Sequence, residues 1–132
     1  MMYLSFRERG RTEGLVLFLV VLALSLSPPA SYTQTYTSGQ HVEPAFEGWK
    51  PNPDGSFSMM FGYMNENWEE EPDVGVGESN FFSPGEADRG QPTHFLPRRN
   101  RFTFEVNVPS DWGDRELVWT LNVNGVERKA FA

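Results

Sequence analysis

The feature that most constrains the fold is an alternation of large apolar residues with polar ones at every second position. In Arg101–Val108, phenylalanines and valines alternate with polar side chains, and Phe57–Tyr63 and Leu117–Val123 also place aromatic or aliphatic residues at every second position. Because successive side chains of a strand point to opposite faces, this period predicts strands that turn one face toward a core. No segment of the chain has a convincing helical period.

Turn-forming residues separate these segments at regular intervals. The run Pro-Asn-Pro-Asp-Gly at 51–55 predicts a hairpin between Ala45–Trp49 and Ser56–Tyr63. Asn124 and Gly125 predict a two-residue type I′ hairpin, because both residues tolerate positive φ. The region 77–97 is broken by prolines and glycines and predicts a long loop, which in a compact domain is often functional.

Six or seven short antiparallel strands in about 90 residues predict an all-β protein. The specific prediction is an immunoglobulin- or fibronectin-like antiparallel β-sandwich, and a small barrel is the alternative. Trp49 and Trp119 are predicted to lie in its core. Aromatic residues make up 14% of the chain, and large rings fill a small core efficiently.

The N-terminus has the pattern of an export signal. Arg7, Arg9 and Arg11 precede an apolar run from Leu15 to Leu26, and small residues follow. The run is shorter than the ~20 residues of a membrane-spanning helix, so residues 1–30 are predicted to be a signal peptide. An uncleaved anchor is the alternative, and it would be the chain's sole membrane contact. The protein is therefore expected in the periplasm, at the cell surface or outside the cell.

The remainder of the chain predicts one small domain. The polar residues 31–41 predict a flexible leader, and the β-sandwich domain is expected over 42–132. Its last predicted strand runs almost to Ala132, so a C-terminally truncated copy and a closing strand from a partner both stay open. The chain has no cysteine, and because small exported animal domains usually depend on disulfides, this favours a bacterial protein.

Charge is unevenly distributed. From Glu43 to Asp88 there are 11 carboxylates and one lysine, whereas Arg89 to Ala132 holds seven basic and five acidic residues. The predicted mature chain has no basic stripe, so a nucleic acid is not an expected partner. The acidic half predicts pairing with the basic half, a bound cation or a solvated acidic face.

Carboxylates are densest in Asn65–Asp73, which we call the acidic segment, and they raise the hypothesis of a calcium site. Calcium takes six to eight oxygen ligands, although the spacing here matches no EF-hand. A solvated loop is the alternative, and no other cofactor is expected. The candidate ligands are Asp54, Glu66, Glu69, Glu70 and Asp73.

A second set of candidates combines aromatic, basic and imidazole side chains that could bind a ligand. Aromatic faces can stack on sugar rings, and the two tryptophans of the set lie in polar contexts that predict exposure. The arginines are expected to pair with the acidic segment. The histidine is expected to form hydrogen bonds within its loop, because zinc needs at least three protein ligands and the chain has only one other histidine. The set is Trp68, Trp112, His94, Arg98 and Arg99.

Four strings in the chain resemble a family of exported bacterial proteins to which no function is assigned. They are Phe46–Phe57, Phe61–Asn65, Asn67–Glu70 and Gly90–Phe102, and the likeness covers roughly 43–131. The resemblance implies export and a bacterial origin. It implies no activity, and members of that family continue beyond the point at which this chain stops.

No set of residues in the sequence specifies a reaction. No serine lies in a nucleophile elbow, and nothing marks one carboxylate as the acid of a glycosidase pair. The sequence therefore predicts a non-enzymatic binding or structural module of the bacterial cell envelope, with a carbohydrate or an envelope protein as partner. A carbohydrate-binding module with a calcium site is the first alternative, and a hydrolase is the second.

Overall fold

The computed structural model describes residues 36–132, so the predicted signal peptide and the first part of the leader lie outside the described residues. The strands are β1 (Val42–Pro51), β2 (Phe57–Asn65), β3 (Asn80–Ser83), β4 (Arg98–Val108), β5 (Val118–Val123) and β6 (Val126–Phe131). Two antiparallel sheets form, in the orders β1-β2-β4 and β3-β5-β6. The all-β, sandwich-like prediction is confirmed, and the immunoglobulin or fibronectin type stays a prediction. Among residues 36–132, no helix is long and apolar enough to span a membrane.

Aromatic rings from the two sheets meet in the core. Phe61 of β2 lies 5.3 Å from the ring of Phe82 and 6.1 Å from that of Trp119, both in the second sheet. Phe104 of β4 meets Trp119 edge to face at 5.0 Å. Trp119 is fully buried, as predicted. Such ring pairs contribute about 0.5–1.5 kcal/mol each beyond their area burial.

The predicted long loop at 77–97 is wrong in part, because β3 lies within it. β3 pairs with β5, with Phe82 opposite Trp119. Four residues between glycine- and proline-containing stretches are too few to show a period in the sequence. The strand is held by Asn80, which is buried and accepts a hydrogen bond at Oδ1 from Trp119 Nε1 at 2.9 Å. Asn80 also donates from Nδ2 to two backbone carbonyls, each at 2.9 Å.

The hairpins form as the sequence predicts, but one strand is irregular. Asn124 and Gly125 have φ angles of 51° and 78°, as a type I′ turn requires. In β4, the alternation predicts that Phe102 faces the core, but its side chain is 58% exposed. Phe102 lies where the register of β2 and β4 shifts, and its φ is 50°. This bulge turns the ring away from the core.

Candidate functional site

An apolar groove of about 210 Å³ lies at the β1–β2 hairpin, and we call it the aromatic groove. Its lining residues are Trp49, Phe57, Met59, Trp112 and Gly113. Trp49 lies opposite Met59 in the sheet, and residues directly opposite each other share a face. Met59 and Phe61 are two positions apart, so both side chains lie on the inner face of the first sheet. The groove is therefore a continuation of that face, beyond the rings that contact the second sheet.

The prediction that Trp49 lies in the core is wrong, since 58% of its side chain is exposed. Trp49 does lie on the inner face of its sheet. Its ring neighbour is Phe57 of the same sheet, whose edge it meets at 5.5 Å and 82°, whereas Phe61 meets rings of the opposite sheet. The period-two pattern identifies the face of a residue but not whether a second layer covers it there.

The predicted exposure of Trp112 is also wrong, since only 7% of its side chain is exposed. The turn at 109–115 folds back on itself, with Trp112 N donating to Pro109 O at 3.0 Å and Arg115 Nε donating to Trp112 O at 2.8 Å. The Arg115 guanidinium lies 4.5 Å from the centre of the Trp112 ring. Within residues 36–132, the buried indole Nε1 of Trp112 has no hydrogen-bond partner.

A second cluster joins His94 to the acidic segment. Asp73 and His94 form an isolated antiparallel bridge. His94 Nδ1 lies 2.7 Å from Asp73 Oδ1, and Nε2 lies 2.7 Å from Glu71 Oε2. Hydrogen bonds to Asp73 and then Glu71 raise the pKa of His94 above its ordinary value. His94 therefore forms hydrogen bonds, as expected, but its partners are carboxylates of the acidic segment and not groups of its own loop.

A buried network of side-chain amides fixes the start of the acidic segment. Asn65 and Asn67 are fully buried, and Asn67 Nδ2 donates to Asn65 Oδ1 at 2.8 Å. Asn65 Nδ2 donates to the backbone carbonyls of Glu70 and Phe95, at 2.8 and 3.2 Å. Residues of the predicted leader join the network, because Gln40 N donates to Asn67 Oδ1 at 2.7 Å. These hydrogen bonds therefore hold the backbone that carries the carboxylates of the acidic segment in one conformation.

The two arginine candidates have different partners. Arg98 lies over the ring of Trp68 at 4.5 Å, and it donates to the carbonyl of Glu66 at 3.2 Å, so its predicted pairing with the acidic segment is correct. For Arg99 that prediction is wrong. Its Nη2 pairs with the Glu47 carboxylate on β1, and its Nη1 donates to Tyr63 O at 3.1 Å. In the register of β2 and β4, Arg98 lies opposite Asn65 at the start of the acidic segment, whereas Arg99 lies opposite Met64.

The candidate calcium ligands do not share one site. Among residues 36–132, no group of three or more His, Cys, Asp or Glu side chains could hold a metal ion. Asp54 accepts hydrogen bonds from the hydroxyl and the backbone N–H of Ser56 in its own turn. These bonds lower the pKa of Asp54, and the bond from the hydroxyl has the larger effect. Glu70 accepts from Gly39 N, and Asp73 pairs with His94. Glu66 approaches Arg98 at 3.9 Å, and Glu69 belongs to the same segment.

The structure therefore separates the candidates that the sequence grouped together. The acidic segment, His94, Arg98 and Trp68 lie along one surface, which the Asp73–His94 bridge and the β2–β4 pairing bring together. Of the ligand-binding candidates, Trp112 alone lines the aromatic groove. Sequence reasoning missed Trp49, Phe57 and Met59 as site residues. The one signal for them was that Trp49 and Phe57 flank the proline-rich turn.

The fold and the site define a class: an all-β protein of two packed sheets with an aromatic groove at one hairpin. No protein-family model, no curated protein and no solved structure matches this chain.

Proposed function

We propose that the protein is an exported, non-enzymatic binding module of the bacterial cell envelope and that its ligand occupies the aromatic groove. The observation that carries the proposal is the groove itself, with the exposed ring of Trp49 beside Met59 and Trp112. Exposed apolar surface is costly to maintain, and when it lines a concave site it commonly marks a ligand-binding groove.

The state of His94 supports binding rather than catalysis. Both ring nitrogens are within hydrogen-bond distance of a carboxylate, and an imidazole that donates from both nitrogens is protonated. An imidazolium has no lone pair with which to accept a proton, so in this arrangement His94 is a poor general base. The groove itself is lined by apolar side chains and a glycine, which offer no nucleophile or acid.

Export and envelope location rest on the sequence. The arginines followed by an apolar run at 15–26 have the pattern of a signal peptide. The likeness of 43–131 to a family of exported bacterial proteins agrees with that location. A binding module outside the cytoplasm has the cell envelope as its nearest large surface.

Fractionation followed by envelope binding tests this function. We would express the full chain in a bacterial host, locate it by fractionation, and measure co-sedimentation of the purified protein with washed envelopes. The variants are Trp49→Ala and, as a matched control, Trp68→Ala, since Trp68 is similarly exposed at 52% and lies outside the groove lining. We expect export, and about tenfold weaker binding for Trp49→Ala alone, as for loss of a central aromatic anchor. Cytoplasmic retention, or equal binding by both variants, would overturn the proposal.

A further inference from the structure

We infer that the aromatic groove binds a neutral saccharide, with one sugar ring stacked on Trp49, an inference that rests on the proposed binding function. A sugar ring has an apolar C–H face and an edge of hydroxyl groups. The groove offers the exposed aromatic surface of Trp49, and its lining includes the indole of Trp112, which carries an N–H donor.

Trp49 is suited to be the stacking platform because its ring is both exposed and oriented. The edge-to-face contact with Phe57, at 5.5 Å and 82°, fixes the indole plane before any ligand arrives. Met59 lies opposite Trp49 across the strand pair and lines the groove beside it. A side chain that is already ordered loses little further conformational entropy on binding, so the contact adds directly to affinity.

Trp112 supplies a hydrogen-bond donor for the hydroxyl edge of the sugar. Its Nε1 is buried and has no partner among residues 36–132. A buried donor without a partner destabilises the folded state. A ligand oxygen that reached this N–H would give the buried donor its missing hydrogen bond.

Charge and hydrogen bonding near the groove favour a neutral ligand that carries hydrogen-bond acceptors. A cation would meet the Arg115 guanidinium, which already lies 4.5 Å from the Trp112 ring centre. An anion would meet a chain whose net charge is −7. A hydrocarbon chain has no acceptor for Trp112 Nε1. A proline-rich peptide also docks in aromatic grooves and has carbonyl acceptors, so it is the rival class that the titration has to distinguish.

Calorimetric titration with defined probes tests the inference. The probes are tetramers of β-1,4-linked N-acetylglucosamine, β-1,4-linked glucose and α-1,4-linked glucose, with a decaproline peptide and a neutral alkyl detergent below its critical micelle concentration as the rival classes. At least one tetramer should bind the full chain saturably. Trp49→Ala should weaken that binding about tenfold or more. Trp112→Phe, which keeps a ring and removes the donor, should weaken it about three- to tenfold. Trp68→Ala should leave it unchanged.

The outcomes distinguish this inference from the function on which it rests. Binding of decaproline or detergent without any tetramer would overturn the saccharide assignment and leave the binding module standing. Envelope binding that depends on Trp49, with no tetramer bound, would also overturn the saccharide assignment alone. Failure of every probe together with failure of envelope binding would overturn both. Tetramer binding that Trp68→Ala reduces and Trp49→Ala does not would move the site away from the groove.

Discussion

His94 and Asp73 face each other across an isolated antiparallel bridge, with the imidazole Nδ1 2.7 Å from the carboxylate Oδ1. The other ring nitrogen lies 2.7 Å from Glu71. A neutral imidazole has one N–H and can donate to one carboxylate only, so the two contacts together favour the imidazolium. The same bridge places Val74 N 2.7 Å from Thr93 O and Phe95 N 3.0 Å from Pro72 O. The ion pairs thus reinforce the backbone hydrogen bonds between the acidic segment and the residues just before β4.

This arrangement predicts a pH dependence with a definite sign. Hydrogen bonds to Asp73 and Glu71 raise the pKa of His94 in the folded protein. In the unfolded chain the pKa of a histidine is about 6.5. Its contribution to stability is therefore fully present below about pH 6.5 and is lost as pH rises through the folded pKa. Proton NMR titration of the His94 ring should give a pKa above 6.5, and Asp73→Asn should lower it. A His94 pKa of 6.5 or less, unchanged in Asp73→Asn, would contradict this account.

Removal of the Asn80 side chain should be among the most damaging polar substitutions. Asn80→Ala leaves the Trp119 N–H and two backbone carbonyls without their partner. Each buried polar group so stranded costs about 1–3 kcal/mol, and we expect the free energy of unfolding to fall by about 2–4 kcal/mol. Urea denaturation measures it. Asn107→Ala, which removes an exposed amide bonded to Ser56, is the control and should cost less than about 1 kcal/mol. Equal losses for the two variants would argue against a structural role for the buried amide.

Gly62 should tolerate no side chain. A Cβ at this position would overlap the Asn100 carbonyl oxygen and the Glu47 carboxylate, and it would lie 3.1 Å from Arg101 Cα. The bulge of β4 presses backbone against this residue, so Gly62→Ala should lower the free energy of unfolding by about 1–3 kcal/mol through overpacking. Gly75→Ala is the matched control, because a Cβ there meets nothing within 4 Å. Thermal unfolding should show a lower Tm for Gly62→Ala only, and an unchanged Tm would show that the strand contact relaxes freely.

Calcium should leave the stability of the protein unchanged. The carboxylates that the sequence suggested as ligands have separate partners, and no group of three within residues 36–132 could hold an ion. A ligand that binds the folded state alone stabilises it, by an amount that grows with the logarithm of the ligand concentration relative to its Kd. The Tm in millimolar calcium should equal the Tm in chelator when a salt without divalent cations keeps the ionic strength of the two samples the same. A calcium-dependent rise in Tm would restore the calcium site as a hypothesis.

The sequence predicted those elements that local chemistry determines. The alternation in β2 and β5 and the tolerance of Asn124 and Gly125 for positive φ are properties of neighbouring residues, and both were read correctly. β3 was missed because its support is not local. Asn80 is held by Trp119, 39 residues away, and by carbonyls on two loops.

The candidate site was less predictable, since it depends on which parts of the two sheets overlap. Trp49 and Trp119 both lie on inner faces of their sheets, yet one is exposed and the other is buried. Trp112 is in a polar turn and yet belongs to the buried core cluster, with residues that are distant in the sequence. The register shift at Phe102 likewise follows from how β4 meets Gly62. None of these relationships is encoded in a window of neighbouring residues.

The most direct test of the central claim follows the indole N–H signals of the four tryptophans by ¹H–¹⁵N NMR during titration with the saccharide tetramer that binds most tightly. The Trp49 and Trp112 signals should shift together and saturate. Those of Trp119, whose N–H is held by Asn80, and of Trp68, which packs against Arg98, should stay in place. Shifts confined to Trp68, or no shift at Trp49 at saturation, would contradict a ligand site in the aromatic groove.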